Sequence, residues 1–221
     1  MLLTCRIEPI INIRTGVRFG GEILCKPEGK DPERFFRHAP QEIIKNIFQK
    51  QIFMFRSNYH EHDRVLFLNA TIPLLMNLVW LKAILSCLPG LKVIEIDCQK
   101  NRIYFPQLVS KLNEIQKLMR VFNAQLWLDD VYVRDIPLIS RLPFRFDGIK
   151  IDKHEFWRIY AEQDSQAMIN LVNKVGCLTD AVLVEGIENE YQLRYISESN
   201  VRYAQGFLWP VDEQESFVIK I

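Results

Sequence analysis

The chain has 221 residues, 48% of them hydrophobic, and a formal charge of +1 from 28 basic and 27 acidic side chains. That length is enough to bury one sizeable core, and so balanced a charge recruits neither nucleic acid nor an anionic lipid surface, so an anionic partner has to be held by a local site. Five cysteines (Cys5, Cys25, Cys87, Cys98, Cys177) are odd in number, dispersed and without a C-x-x-C spacing, which argues against a disulfide framework or structural zinc and for a reducing cytoplasm.

In chain order, Arg6–Ile13 and Gly20–Cys25 read as two strands joined through the turn signal Asn12-Ile13-Arg14-Thr15-Gly16, and therefore antiparallel. The connection from Asp31 to Asn58 reads helical, and Val65–Asn69 is the third strand. Thr71 is placed to cap a helix entered at Pro73, since proline fits a first turn where its missing N–H is not needed. The stretch Leu74–Leu88 is the most lipid-like of the chain, but it holds about 15 residues where a membrane span needs about 20, so it is a buried amphipathic helix and no membrane is expected. The N-terminus lacks the basic and apolar regions of a signal peptide.

Further strands at Val93–Asp97, Gln125–Asp129, Gly148–Ile151, Ala181–Val184 and Tyr203–Phe207 alternate with helical stretches at Phe105–Phe122, Phe156–Val175 and Glu190–Ser197. In the first of these helices Leu108, Leu112, Ile115, Met119 and Phe122 share one stripe. Strand–helix alternation implies parallel pairing through right-handed crossovers, and about eight strands imply closure into a TIM-like (β/α)8 barrel with one antiparallel strand, one domain over residues 1–221.

Polar residues recur where these apolar runs end: Glu22, Asn69, Glu95, Asp129, Asp130, Lys150, Glu185, Glu188 and Gln205. In parallel barrels the carboxyl ends of the strands meet at one mouth, so these groups are expected to share a pocket. Several ionised carboxylates in one pocket repel one another, and a single lysine cannot neutralise them, so the pocket must take up protons or cations. Oxygen donors suit hard divalent ions such as magnesium or manganese, and two such ions activate water and stabilise a leaving oxygen, the logic of phosphodiester hydrolysis. The four histidines show no pattern at these strand ends, and His60-Glu61-His62 falls in a polar loop, which argues against reading it as a metal clip.

Taken together, Gly21-Glu22-Ile23-Leu24-Cys25-Lys26, Leu68-Asn69, Glu95-Ile96, Asp129-Asp130, Phe146-Asp147-Gly148-Ile149-Lys150-Ile151-Asp152, Glu185-Gly186-Ile187-Glu188 and Gln205-Gly206-Phe207 resemble, in order and spacing, the EAL-type cyclic di-GMP phosphodiesterases over nearly the whole chain. The resemblance implies a first metal held by Glu22, Asn69, Glu95 and Asp129, and a second served by Asp129, Asp130 and Glu185. It implies that Lys150 orients the attacking water or meets phosphate charge, with Asp152 bracing it, and that Glu185 acts as base or ligand. Glu22, Leu24, Lys26, Asp152, Glu188 and Gln205 fall on the substrate side.

Departures from the family pattern are equally specific. A Phe-Gly-Thr-Gly loop normally follows the paired aspartates, whereas Asp130 here precedes Val131-Tyr132-Val133-Arg134, and residues with a Cβ resist the positive φ that glycine permits. The glutamate that anchors this loop, second in the family's E-I-T-E motif, is replaced by Cys98, so the element is expected to be rebuilt. Glu8 stands where the family favours glutamine and Lys26 where it favours arginine, which loses a bidentate fork. The resulting expectation is a cytoplasmic phosphodiesterase opening cyclic di-GMP to linear pGpG, with two Mg2+ or Mn2+ ions. The alternative is a catalytically silent regulator that binds cyclic di-GMP or a regulatory protein partner, and a homodimer is compatible with either.

Overall fold

The structure, a computed structural model, describes residues 1–58, 65–88 and 90–221, without the side chains of 56–58 and 214. The tripeptide His60-Glu61-His62 lies outside the described residues. Eight strands, β1 (Leu2–Asn12), β2 (Val17–Pro27), β3 (Val65–Ala70), β4 (Lys92–Asp97), β5 (Ala124–Val131), β6 (Phe146–Ile151), β7 (Thr179–Val184) and β8 (Tyr203–Gln205), close into a barrel in which β1 is antiparallel to both β2 and β8 and all other neighbours are parallel. A ninth strand, β9 (Ser216–Lys220), pairs antiparallel with the start of β1 outside the barrel. The predicted class is therefore correct, with one strand more than the sequence reading found.

Helices cover the barrel as the apolar stripes require. In α6 (Phe105–Val121), Leu108, Leu112, Ile115 and Met119 are buried, while Phe122 is the C-cap and only half-buried. Three helical expectations change in detail. The 31–58 connection divides into α1 (Pro32–His38) and α2 (Gln41–Asn58), because Pro40 holds Ala39 extended. The Phe156–Val175 stretch divides into α8 (Lys153–Ala161) and α9 (Ser165–Gly176), with Gln163 at φ 53 between them and Asp164 capping the second. The apolar stretch near residue 80 divides into α3 (Ile72–Leu75) and α4 (Leu78–Ser86), where Asn77 accepts from the Trp80 amide as N-cap. Among the described residues no helix is long and apolar enough to cross a membrane.

Thr71 does not cap α3. Its hydroxyl donates to Gln41, the Leu74 amide donates to the Thr71 carbonyl, and the Ile72 amide donates to Asn101 of α5 (Cys98–Asn101) at 3.0 Å. The cysteine expectation is also corrected: Cys5 and Cys25 form a disulfide. The hairpin register pairs Cys5 directly with Cys25, as it pairs Glu8 with Glu22, so two residues distant in sequence become cross-strand neighbours. Cys87, Cys98 and Cys177 are free.

The barrel interior below the mouth is filled by Ile10, Phe67, Val93, Trp127, Leu183 and Tyr203, with Phe19 stacked on Tyr203. Gly148 makes room for the indole, since a Cβ there would lie 2.1 Å from Trp127 Cδ2. Gly148→Ala is expected to destabilise the protein by about 1–3 kcal/mol, the usual cost of overpacking a dense interior, as read from urea denaturation. An unchanged midpoint would mean that the indole can move aside.

Candidate metal centre at the barrel mouth

The strand ends do converge. Strand alternation sends Glu22 on β2, Glu95 on β4, Asp129 on β5 and Lys150 on β6 inward, and each is buried. Lys150, with no exposed surface, sits among four carboxylates: Nζ is 2.8 Å from Glu22 Oε2, 3.2 Å from Glu95 Oε1, 3.1 Å from Asp129 Oδ1 and 2.7 Å from Glu185 Oε1. Asn69 at the end of β3 donates to Glu22 Oε1 at 2.6 Å, and Gln205 at the end of β8 donates to Glu22 Oε2 at 3.0 Å and Glu8 Oε2 at 3.2 Å. Glu8 in turn pairs with Arg6. Gln205 is held by the next residue: Gly206, at φ 152, lets the backbone pass so close to Ile187 that a Cβ would lie 2.3 Å from its carbonyl oxygen.

Asp129 and Asp130 are consecutive, and a regular strand would aim them to opposite faces. The β5–β6 register shifts between Leu128 and Val131, and Asp130 adopts φ 54, which turns its carboxylate back to the mouth. Two groups of carboxylates result, Glu22 with Glu95 and Asp129, and Asp129 with Asp130 and Glu185, each with oxygens within 4.8 Å of one another. Asp129 belongs to both groups.

One lysine cannot balance these charges. Burial, then the neighbouring Glu22, pushes the Glu95 carboxyl well above its usual range, and at Asp129 burial together with Glu22 outweighs the lowering pull of Lys150 and leaves the carboxyl raised. Burial and then Asp129 push Asp130 up to about 9, and burial outweighs Lys150 to take Glu185 to about 8. Glu22 is the exception: burial opposes its ionisation, but Lys150, Gln205 and Asn69 together hold it below the usual range. The carboxylates in turn raise the Lys150 ammonium against the desolvation that opposes it. Oε2 of Glu95 is buried without accepting a hydrogen bond, while Glu95 Oε1 and Asp129 Oδ1 share the single Lys150 ammonium at 3.2 and 3.1 Å. So many carboxylate oxygens around one ammonium leave acceptor capacity to spare, and that fits a divalent cation of the magnesium or manganese type.

The remaining anticipated residues lie further out. Leu24 and Lys26 continue the Glu22 face of β2 outward, Leu24 half-buried and Lys26 exposed. Glu188 is exposed beyond β7, and its amide donates to Gln192. Asp152 is not an ion-pair partner of Lys150; its carboxylate caps α8 by accepting from the His154 and Glu155 amides. The loop after β5 forms a 3-10 turn (Val133–Asp135) leading to the short helix α7 (Ile136–Ile139). Cys98 is buried without exposed surface, and burial, then Asp135 and Asp97, push its thiol up to about 12. Sequence reasoning missed Asp135 and Gln99, which hold this loop. The available sign was an aspartate just ahead of Ile136-Pro137, a common helix opening.

No curated protein matches the chain in a sequence comparison. Solved structures do match in fold. The BlrP1 protein of Klebsiella pneumoniae, solved as a calcium and cyclic di-GMP complex, superposes with a TM-score of 0.73 at 17% identity over 98% of this chain and 58% of its own. A standalone EAL protein from Vibrio cholerae O395 in a c-di-GMP-bound form gives 0.72 at 18% identity, covering 96% of this chain and 93% of its own. The EAL-like domain protein YdiV gives 0.68 at 16% identity, covering 97% of this chain and 94% of its own. This chain thus spans little more than half of the BlrP1 chain and nearly all of the other two. The family model of the EAL domain matches residues 3–210. With that match spanning nearly the whole chain, and Glu22 of the Glu22-Ile23-Leu24 tripeptide standing at the mouth, the protein belongs to the EAL domain family.

Proposed function

We propose that this protein is a divalent-metal-dependent phosphodiesterase that hydrolyses cyclic di-GMP to linear pGpG. The observation that carries the reading is the pair of oxygen clusters sharing Asp129 around the buried Lys150. Glu22, Asn69, Glu95 and Asp129 would hold one ion, and Asp129, Asp130 and Glu185 a second. Magnesium or manganese bound there supplies Lewis-acid polarisation of the phosphodiester and of the attacking water.

The chain's own residues do the rest. The Lys150 ammonium, kept charged by its carboxylate neighbours, donates to the incoming water or to the phosphoryl oxygens as negative charge grows on them. Glu185, at the open side of the cluster, takes the water's proton as the new P–O bond forms. The P–O3′ bond breaks, the O3′ takes up a proton, and the phosphate stays on the 5′ oxygen. Gln205 fixes the carboxylate of Glu22, while Leu24 and Lys26 offer an apolar contact and a cation to the nucleotide. Glu188 lies at the same rim, and Asp152 supports the Lys150 strand by fixing the start of α8.

A cytoplasmic setting belongs to this reading, and the reducing poise there would hold Cys5 and Cys25 as thiols while the hairpin keeps its register through backbone pairing. Purified protein is expected to convert cyclic di-GMP to pGpG with Mg2+ or Mn2+ and to lose at least about a hundredfold in rate in the Glu22→Ala variant. Tight nucleotide binding without turnover would instead support a second reading, a catalytically silent EAL-like regulator. The glycine-free turn after Asp130 favours that reading, because its own side chains fasten it without any ligand.

A further inference from the structure

Resting on the two-cation site just proposed, we infer that Asp135 is the positioning residue that holds Asp130 in the geometry needed for the second ion. Asp135 has no exposed surface, yet it belongs to neither carboxylate cluster. Its Oδ2 accepts from Gln99 Nε2 at 2.6 Å and from the Tyr132 amide at 3.0 Å, and its Oδ1 lies 3.7 Å from the Arg102 guanidinium. The same Gln99 Nε2 is 3.3 Å from the Asp130 carbonyl oxygen, and Gln99 Oε1 accepts from Arg134, whose guanidinium lies over the Tyr132 ring at 4.4 Å.

Asp130 is where this network acts. It is a non-glycine residue at φ 54, a conformation that persists only where the surroundings over-determine it. If it relaxed to an extended conformation, strand alternation would carry its carboxylate away from Asp129 and Glu185. Two fastenings prevent this: Gln99 from α5 grips the Asp130 carbonyl, and Asp135 from the following turn grips both Gln99 and the backbone two residues past Asp130. Buried Asp135 thus joins β5, α5 and the turn into one unit, and the aim of Asp130 follows from it.

The test titrates Mn2+ into the full chain, following heat and the electron paramagnetic resonance of the bound ion. The native protein is expected to bind two ions with a spin-coupled signal. In Asp135→Asn and in Gln99→Ala, one ion is expected to bind as before and the other about tenfold or more weakly, so that the coupled signal gives way to that of an isolated ion. A loss confined to one of two ions is not what general loosening of the fold produces. If Asp135→Asn does not fold, Gln99→Ala decides alone. Variants that bind both ions like the native protein, or lose both in parallel, would overturn the inference while leaving the proposed site intact. A native protein that takes only one ion would overturn it too, and one that takes none would overturn the site and the inference together.

Discussion

Lys150→Met is expected to cost about 3–5 kcal/mol of stability at about pH 8, the usual loss when one partner of a buried ion pair is removed and the other charge stays behind. Four carboxylates lie within 3.2 Å of the Lys150 nitrogen, and the unbranched methionine fills the space without replacing the charge. The loss must depend on pH. Glu95, Asp129 and Glu185 already have carboxyls raised by burial and mutual repulsion, and without the ammonium they hold protons still more tightly. At about pH 5.5 the variant can discharge the pocket by protonation, so the difference from the native protein should shrink to less than half. Urea denaturation of both proteins at the two pH values measures this. A penalty equal at both would mean that Lys150 acts by packing alone and that the carboxylates do not feel its charge.

Why so much of this site could be read from the sequence follows from the strand period. Each of Asn69, Glu95, Asp129 and Glu185 ends an apolar run, and in a parallel barrel a polar residue at the end of a buried strand has one place to go. Lys150 is harder, since a lysine between isoleucines fits an edge strand equally well, and only the barrel's closure buries it. Leu108, Leu112, Ile115 and Met119 show the helical counterpart, a stripe whose spacing alone fixes which face is covered.

What escaped the reading depends on partners remote in sequence. The Cys5–Cys25 bond becomes visible only once the register of the first hairpin is known. β9 alternates in the usual way, with Phe217 and Ile219 buried, but exposed Val218 sits between them and hides the pattern. Thr71 has the residue type and place of a cap, yet its hydroxyl is taken up by Gln41 across the fold, and the Leu74 amide turns to the Thr71 carbonyl. Asp135 is fastened to Gln99 of α5, and no local pattern joins positions thirty-six residues apart.

The stability of the native protein should fall as pH rises, and divalent cations should reverse that trend. Unfolded carboxylates ionise near pH 4, whereas the folded Glu185 and Asp130 keep their protons to about 8 and about 9, with Glu95 and Asp129 also raised. Between those limits the folded state binds more protons than the unfolded one, so these groups stabilise the fold fully below about pH 4 and lose that contribution as pH climbs through their folded values. Glu22 has the opposite sign, but its lowered carboxyl acts only in acid, outside this window. In chelator, the melting temperature is therefore expected to drop by several degrees between about pH 5.5 and about pH 8.5. An ion that binds only the folded protein adds about 2.7 kcal/mol when present at a hundred times its dissociation constant. Because it must displace those same protons, it binds more tightly as they leave, so with Mn2+ the decline should flatten or invert. Parallel curves with and without Mn2+ would separate the acidic mouth from cation binding, and a flat curve in chelator would mean that the carboxylates ionise as freely in the fold as outside it.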